Sequence, residues 1–281
     1  MKTVNSISGG KTSAYISNIY PADYDVFSLV RTSDKKCLYP DKKIRQIVSD
    51  KIGKEFIGTL EDDVIIQTIL ELEQFNGRQI HWVSGRTFDE IIVKKSGIRF
   101  LPNKMARFCT TELKLQPIFD WWKKEVDQVV EMRIGFRANE QRRANKLLSK
   151  ANENGIDEFK SIIGKTKTGT SNRWKSFEWR KPVFPLIKDG VYKDTIEKFW
   201  IDKPVKFAYM NNCVGCWWRS PLLLKKMSNK HPKKLQWFAD QESDTSKWRS
   251  DVMYKDIIKW NSQIELFDND FTDCDSGQCG I

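Results

Sequence analysis

Long apolar runs are missing from this 281-residue chain. No stretch approaches the roughly 20 consecutive apolar residues that a membrane-spanning helix needs, and the N-terminus lacks the charged-then-apolar layout of a secretory leader. The chain is therefore expected to be cytoplasmic, with no membrane partner. Histidine is scarce: the two residues, His81 and His231, are too isolated to act as ligands, so an imidazole-built metal site is not expected. Acidic residues fall short of basic ones, 37 against 48, leaving a net charge of +11 and a pI near 9.2. No internal repeat is visible. Hydrophobic content of 40% and charged content of 30% are ordinary for a folded chain and exclude global disorder.

The basic excess is clustered. Residues 137–181 hold twelve Lys/Arg against five Asp/Glu, and residues 219–234 hold six with no acid. Such clusters gain free energy by displacing counterions from phosphates, and eleven Trp could supply stacking surfaces. A nucleic-acid surface and two solvated faces are both consistent with this pattern. Six cysteines without an export signal argue against disulfides and for metal ligation or thiol chemistry.

Along the first third, short apolar runs alternate with helical periodicity. KTVNSIS, DVFSLVRT and RQIHWVSG read as strands; KTSAYISNIY, PDKKIRQIVSDKIG and DDVIIQTILELEQFNG read as helices. TFDEIIVKKSG opens on a capping box, Thr87 with Glu90, and is expected to run as a helix to Gly97. VVEMRIGF reads as a further buried strand. This alternation predicts an α/β fold, a parallel sheet covered by helices on both faces. Residues 164–176, polar, basic and rich in Gly, Ser and Thr, read as a mobile loop with the composition of a lid. VFPLIKDGVYKDTIEKFW resumes order, and the chain after Cys216 reads as helical and basic, SDVMYKDIIKWNSQIELF most clearly.

At the end of the first strand stands Ser8-Gly9-Gly10-Lys11-Thr12-Ser13, opening a helix. Amide groups at such a junction point at an anion, the helix dipole favours negative charge, and glycine lets the main chain approach phosphate oxygens. The four-residue spacing of the Walker loop is absent, so this is a different phosphate loop.

The SGGxxS stretch resembles the PP-loop of the adenine nucleotide alpha-hydrolase superfamily. ARFCTTELKLQPI, with Cys109, Lys114 and Pro117 in step, resembles a segment of its phosphoadenosine phosphosulfate (PAPS) reductase family. IGFRANEQRR, through Gly135, Arg137, Glu140 and Arg143, is similar to a Gly-x-Arg-x-x-Glu-x-x-Arg stretch of the same family, and NNCVGCWW to its later Cys-x-x-Cys. The resemblance runs from residue 4 to about 220. It implies a Rossmann-like nucleotide-binding domain, residues 1–205, followed by a mainly helical, cysteine-containing region, residues 206–281. It further implies that Ser8, Gly9, Gly10, Lys11, Thr12 and Ser13 hold the phosphates of ATP or PAPS, with Mg2+ where ATP is the nucleotide. Arg137 and Arg143 would fork onto phosphate or sulfate oxygens, and Lys11 and Arg137 would serve catalysis.

The Cys213-Val-Gly-Cys216 spacing suits two thiolates on one metal, and equally a redox pair. Family members with a [4Fe-4S] cluster carry a Cys-Cys pair at the position of Cys109; here Thr110 stands second, so Cys109, Cys213 and Cys216 would be joined by Cys274. A zinc site of Cys213, Cys216, Cys274 and Cys279 is the alternative, with Cys37 a more distant candidate. GQCGI at the end is similar to the tail that carries the nucleophile of sulfonucleotide reductases, which would make Cys279 catalytic; Gln278 replaces the Glu of that tail and no His follows. Three functions follow as expectations. The first is an ATP-cleaving enzyme that adenylates a target and transfers sulfur, with tRNA or DNA among its acceptors. The second is a PAPS/APS reductase served by a thioredoxin-like reductant. The third is a non-enzymatic, nucleotide-responsive nucleic-acid binder.

Overall fold

The computed structural model describes residues 1–94 and 96–261. Its elements run β1 (Thr3–Ile7), α1 (Lys11–Ile19), β2 (Tyr24–Ser28), α2 (Lys42–Ile52), α3 (Val64–Asn76), β3 (Ile80–Val83) and α4 (Phe88–Ile91). Next come α5 (Phe108–Thr110), a π-helical stretch (Thr111–Leu115), α6 (Gln116–Glu125), β4 (Val130–Arg133), α7 (Gln141–Leu148), β5 (Asp157–Lys165) and β6 (Asn172–Val183). The chain closes with α8 (Pro185–Lys188), α9 (Lys193–Trp200), α10 (Pro221–Lys230), α11 (Pro232–Asp240) and α12 (Tyr254–Lys259).

One six-stranded sheet of order β3-β2-β1-β4-β6-β5 organises the molecule. Every pairing is parallel except β5 with β6, which is antiparallel. Strand side chains alternate between the faces, so Phe27 and Ile7 join one apolar core with α1, α2 and α3, while Val26 and Val4 join another with α6 and Trp179. The fold is α/β, compatible with a Rossmann-like arrangement. No helix among the described residues is long and apolar enough to cross a membrane.

Helix ends follow local chemistry. Asp41 caps α2 by accepting from the amides of Lys43 and Ile44, and Gly53 and Gly77 end α2 and α3 in the left-handed region. The Thr87–Glu90 capping box forms as expected, but α4 lasts a single turn. A bridge between Val93 and Arg99 takes over the backbone, so the helix expected to reach Gly97 ends at Ile91.

The loop expected at residues 164–176 is instead a β-hairpin: β5 and β6 pair from Asp157↔Arg180 out to Lys165↔Asn172, leaving residues 166–171 as the turn. Ladder hydrogen bonds satisfy the backbone here whatever the polarity of the side chains, which a composition-based reading does not register.

The C-terminal helices α10, α11 and α12 share a third core with Val30, Leu60, Phe88 and Leu113 from the α/β part. Residues 262–281, with Cys274, Cys279 and the last third of the helix expected over residues 250–267, lie outside the described residues.

Candidate functional site

In an open parallel sheet, ligands sit beyond the strand C-termini where the strand order reverses. Here that point lies between β1 and β4, which are neighbours although β2 and β3 follow β1 in sequence. The loop after β1 is Ser8–Gly10, and the loop after β4 is residues 134–137. The second loop reaches the first turn of α1, which the first loop opens: a Cβ placed on Gly135 would lie 3.4 Å from the Thr12 methyl and 3.7 Å from the Ser13 amide nitrogen.

The β1 loop depends on its glycines. Gly9 has φ +78°, and a Cβ there would press within 2.6 Å of Ile65 on α3. Gly10 precedes α1 in extended conformation, and no side chain caps the helix. The hydroxyl of Ser13 accepts from the Ser8 amide at 3.1 Å and donates to the Gly10 carbonyl at 3.0 Å, so it closes the loop on itself. Ser8 is exposed, its hydroxyl 3.2 Å from that of Ser13. The Lys11 ammonium reaches across to Glu197 on α9, and its carbonyl accepts from the Trp200 indole at 3.0 Å. Lys11 thus fastens α9 to the start of α1.

Arg137 is 6% exposed. Glu140 accepts from its backbone amide at 2.8 Å and from its Nε at 3.1 Å. The same carboxylate holds Arg143, whose guanidinium lies 4.1 Å over the Phe136 ring. Two guanidinium groups on one carboxylate leave net positive charge beside the switch point, in fixed orientation.

A second feature adjoins the first. Cys109, Cys213 and Cys216 line one cavity of about 40 Å3, together with Lys114, Arg107 and Trp217. Cys109 comes from α5, just before the π-helical stretch that carries Lys114; Cys213 and Cys216 flank a turn closed by the Cys216 amide on the Cys213 carbonyl at 3.1 Å. Gly215 permits that turn, since a Cβ there would enter the Phe238 ring at 2.3 Å. Arg219 is buried beneath it and donates to the carbonyls of Asn211 at 2.6 Å and Cys213 at 3.2 Å. Cys37 is buried in the third core and does not line this cavity.

Burial pushes the Cys109 thiol up to about 11, with Cys216 adding in the same direction and Lys114 opposing. Burial and the Glu61 carboxylate push Cys213 well above the ordinary thiol range. Reactive cysteines need the opposite, an electropositive setting that favours thiolate. A bound cation would reverse the balance. In chemistry these three soft donors on one cavity suit a thiolate-ligated metal or cluster, but no group of three or more potential ligands among the described residues is arranged to hold an ion.

Comparison with protein-family models, curated proteins and solved structures finds no match.

The two features are joined by groups that the motifs do not single out. Asn211, two residues before Cys213, abuts Gly10 of the loop. Glu61 forms a bridge with Cys213 and an ion pair with Lys114 at 3.1 Å, while its carbonyl accepts from Lys234 at 2.6 Å. Asp62 and Asp63 bind His231 and Lys234, clamping the C-terminal helices to the entrance of α3. The run Asn211-Asn212 before the CxxC is a usable signal; nothing in the sequence marks Glu61.

Proposed function

We propose that this chain is a PP-loop enzyme of the PAPS reductase type that binds an adenine nucleotide, cleaves ATP at the α-phosphate and couples the adenylation to sulfur transfer, with nucleic acid as acceptor. One observation supports the reading: at the point where the strand order reverses, Gly135 of the loop after β4 lies against Thr12 and Ser13 in the first turn of α1, and the same loop ends on the buried Arg137. An acceptor nucleophile would attack the α-phosphorus as its bond to the bridging oxygen breaks, and pyrophosphate would leave carrying the electron pair. A sulfide-level donor would then form the bond to the acceptor as AMP leaves with the electron pair of the acceptor–oxygen bond. Amide groups at the start of α1 and the Arg137–Arg143 pair would receive the phosphate charge. Preorganisation is their contribution: Glu140 fixes both guanidinium groups before substrate arrives.

Cys109, Cys213 and Cys216 would hold an iron-sulfur cluster, with Cys274 as the expected fourth ligand; zinc is the alternative metal. When bound, the cluster supplies redox-active, sulfur-handling iron, whereas zinc supplies a structural cross-link. That Cys109 shares the cavity of the CxxC favours the ligand set containing it over the one built from Cys213, Cys216, Cys274 and Cys279.

The test is to incubate anaerobically purified protein with ATP and nucleic acid, and separately with PAPS and a thioredoxin-like reductant. The expected products are pyrophosphate and adenylated nucleic acid from the first mixture, lost in Arg137→Ala. Sulfite from the second mixture alone would replace this reading with a sulfonucleotide reductase, and silence in both with a nucleotide-responsive binder.

A further inference from the structure

We infer that the β5–β6 hairpin is a nucleic-acid-binding arm, which deepens the proposed reading by naming the element that holds the acceptor.

Four observations carry it. First, β6 pairs with β4 only from Arg180 to Val183, and its buried packing begins near Phe177 and Trp179. Outward from Ser176 the two strands pair only with each other, a ribbon of roughly 16 Å at about 3.3 Å per residue. Second, residues 160–175 contain Lys160, Lys165, Lys167, Arg173 and Lys175 and no acid, and all five are exposed. Glu158 and Glu178 stand at the base of the hairpin, and the ribbon beyond them supplies no carboxylate to neutralise the five cations, so the complementary partner is a polyanion. Third, Trp174 is 61% exposed and pairs across the ribbon with Ile162, itself 48% exposed. An indole offered among cations is the combination that stacks a base while the flanking phosphates are neutralised. Fourth, a two-stranded ribbon is marginally stable alone in water and gains from being covered. It is also narrow enough to enter a duplex major groove.

β6 runs parallel to β4 toward the switch point, so the ribbon leaves the opposite end of the sheet. The arm therefore anchors a long polymer away from the nucleotide loop and takes no part in phosphate chemistry.

The experiment is fluorescence anisotropy of the full chain, without nucleotide, against labelled single-stranded DNA, duplex DNA and RNA of equal length, between about 50 and 200 mM salt. Lys165→Glu with Lys167→Glu and Arg173→Glu is expected to weaken binding by at least about tenfold. It should also flatten the salt dependence by about 0.9 in log-log slope for each duplex phosphate that the protein no longer neutralises. Trp174→Ala is expected to weaken single-strand binding by roughly fivefold or more, with Trp174→Phe restoring it. A loss confined to one of the three polymers identifies the acceptor. Unchanged thermal unfolding shows that the variants fold.

Wild-type affinity and salt slope in every variant would overturn the proposal, as would absence of binding to all three polymers, or an arm that drives self-association instead. ATP binding measured by calorimetry without nucleic acid separates this from the catalytic reading: arm variants retain it if both hold. If no protein binds ATP while the arm still governs polymer binding, only the catalytic reading falls.

Discussion

Gly10 faces Asn211 so closely that a Cβ at position 10 would stand 2.1 Å from the Asn211 Nδ2. The glycine-rich loop and the segment leading into the CxxC turn are thus in direct contact.

Gly10→Ala is therefore expected to destabilise the protein by about 1–3 kcal/mol, the usual cost of overpacking, and to abolish measurable ATP binding. Combining it with Asn211→Gly should recover most of the stability, because the clashing side chain is gone. Urea denaturation and calorimetric titration of both proteins check this. Strictly additive losses in the double variant would show that the contact does not set the cost.

The thiol cavity makes a separate prediction. Anaerobically purified protein is expected to carry tightly bound metal, and Cys109→Ser and Cys213→Ser should each remove most of it while Cys37→Ser retains it. Elemental analysis with visible absorption reads the outcome and distinguishes brown iron-sulfur from colourless zinc protein. Because burial keeps Cys109 and Cys213 protonated in the absence of a cation, binding must expel protons. Affinity measured by chelator competition should therefore rise with pH between about 6.5 and 8.5. Full metal retention in Cys109→Ser would assign the cavity another role.

His81 supplies a pH prediction remote from both features. It is half-buried between Tyr24 and Trp121, ring centroids 5.5 and 5.3 Å away, and burial pushes its imidazole below the ordinary value despite Glu125, Asp25 and Glu73 acting the other way. The unfolded chain, with an imidazole near pH ~6.5, then binds more protons than the folded one just below that pH. The contribution of His81 to stability is complete above about pH 6.5 and declines as pH falls toward the folded value. His81→Gln should flatten the drop in Tm between about pH 7.5 and 5.5; an unchanged slope would show that His81 does not govern it.

Much of the α/β part is legible from the chain alone. Apolar periodicity, Gly53 and Gly77 as stops, and the Thr87–Glu90 box are local signals, and local backbone geometry answers each of them. The hairpin at residues 157–183 is hidden from such reading because polar, glycine-containing strands pair through their backbones, and composition carries no record of that pairing. The short α4 has a related cause, the Val93–Arg99 backbone bridge that forms directly after it.

The sequence by itself determined that a glycine-rich turn follows the first strand and opens a helix, and that thiols rather than imidazoles are the available soft ligands. Those facts rest on residue type and short spacing. Only the tertiary structure decided that Gly135 comes beside Thr12, that Cys109 shares a cavity with Cys213 and Cys216, and that Asn211 and Glu61 link the two features. Such meetings depend on the order in which parallel strands assemble and on where the C-terminal helices bury their apolar faces. Both are fixed by contacts between residues far apart in the chain.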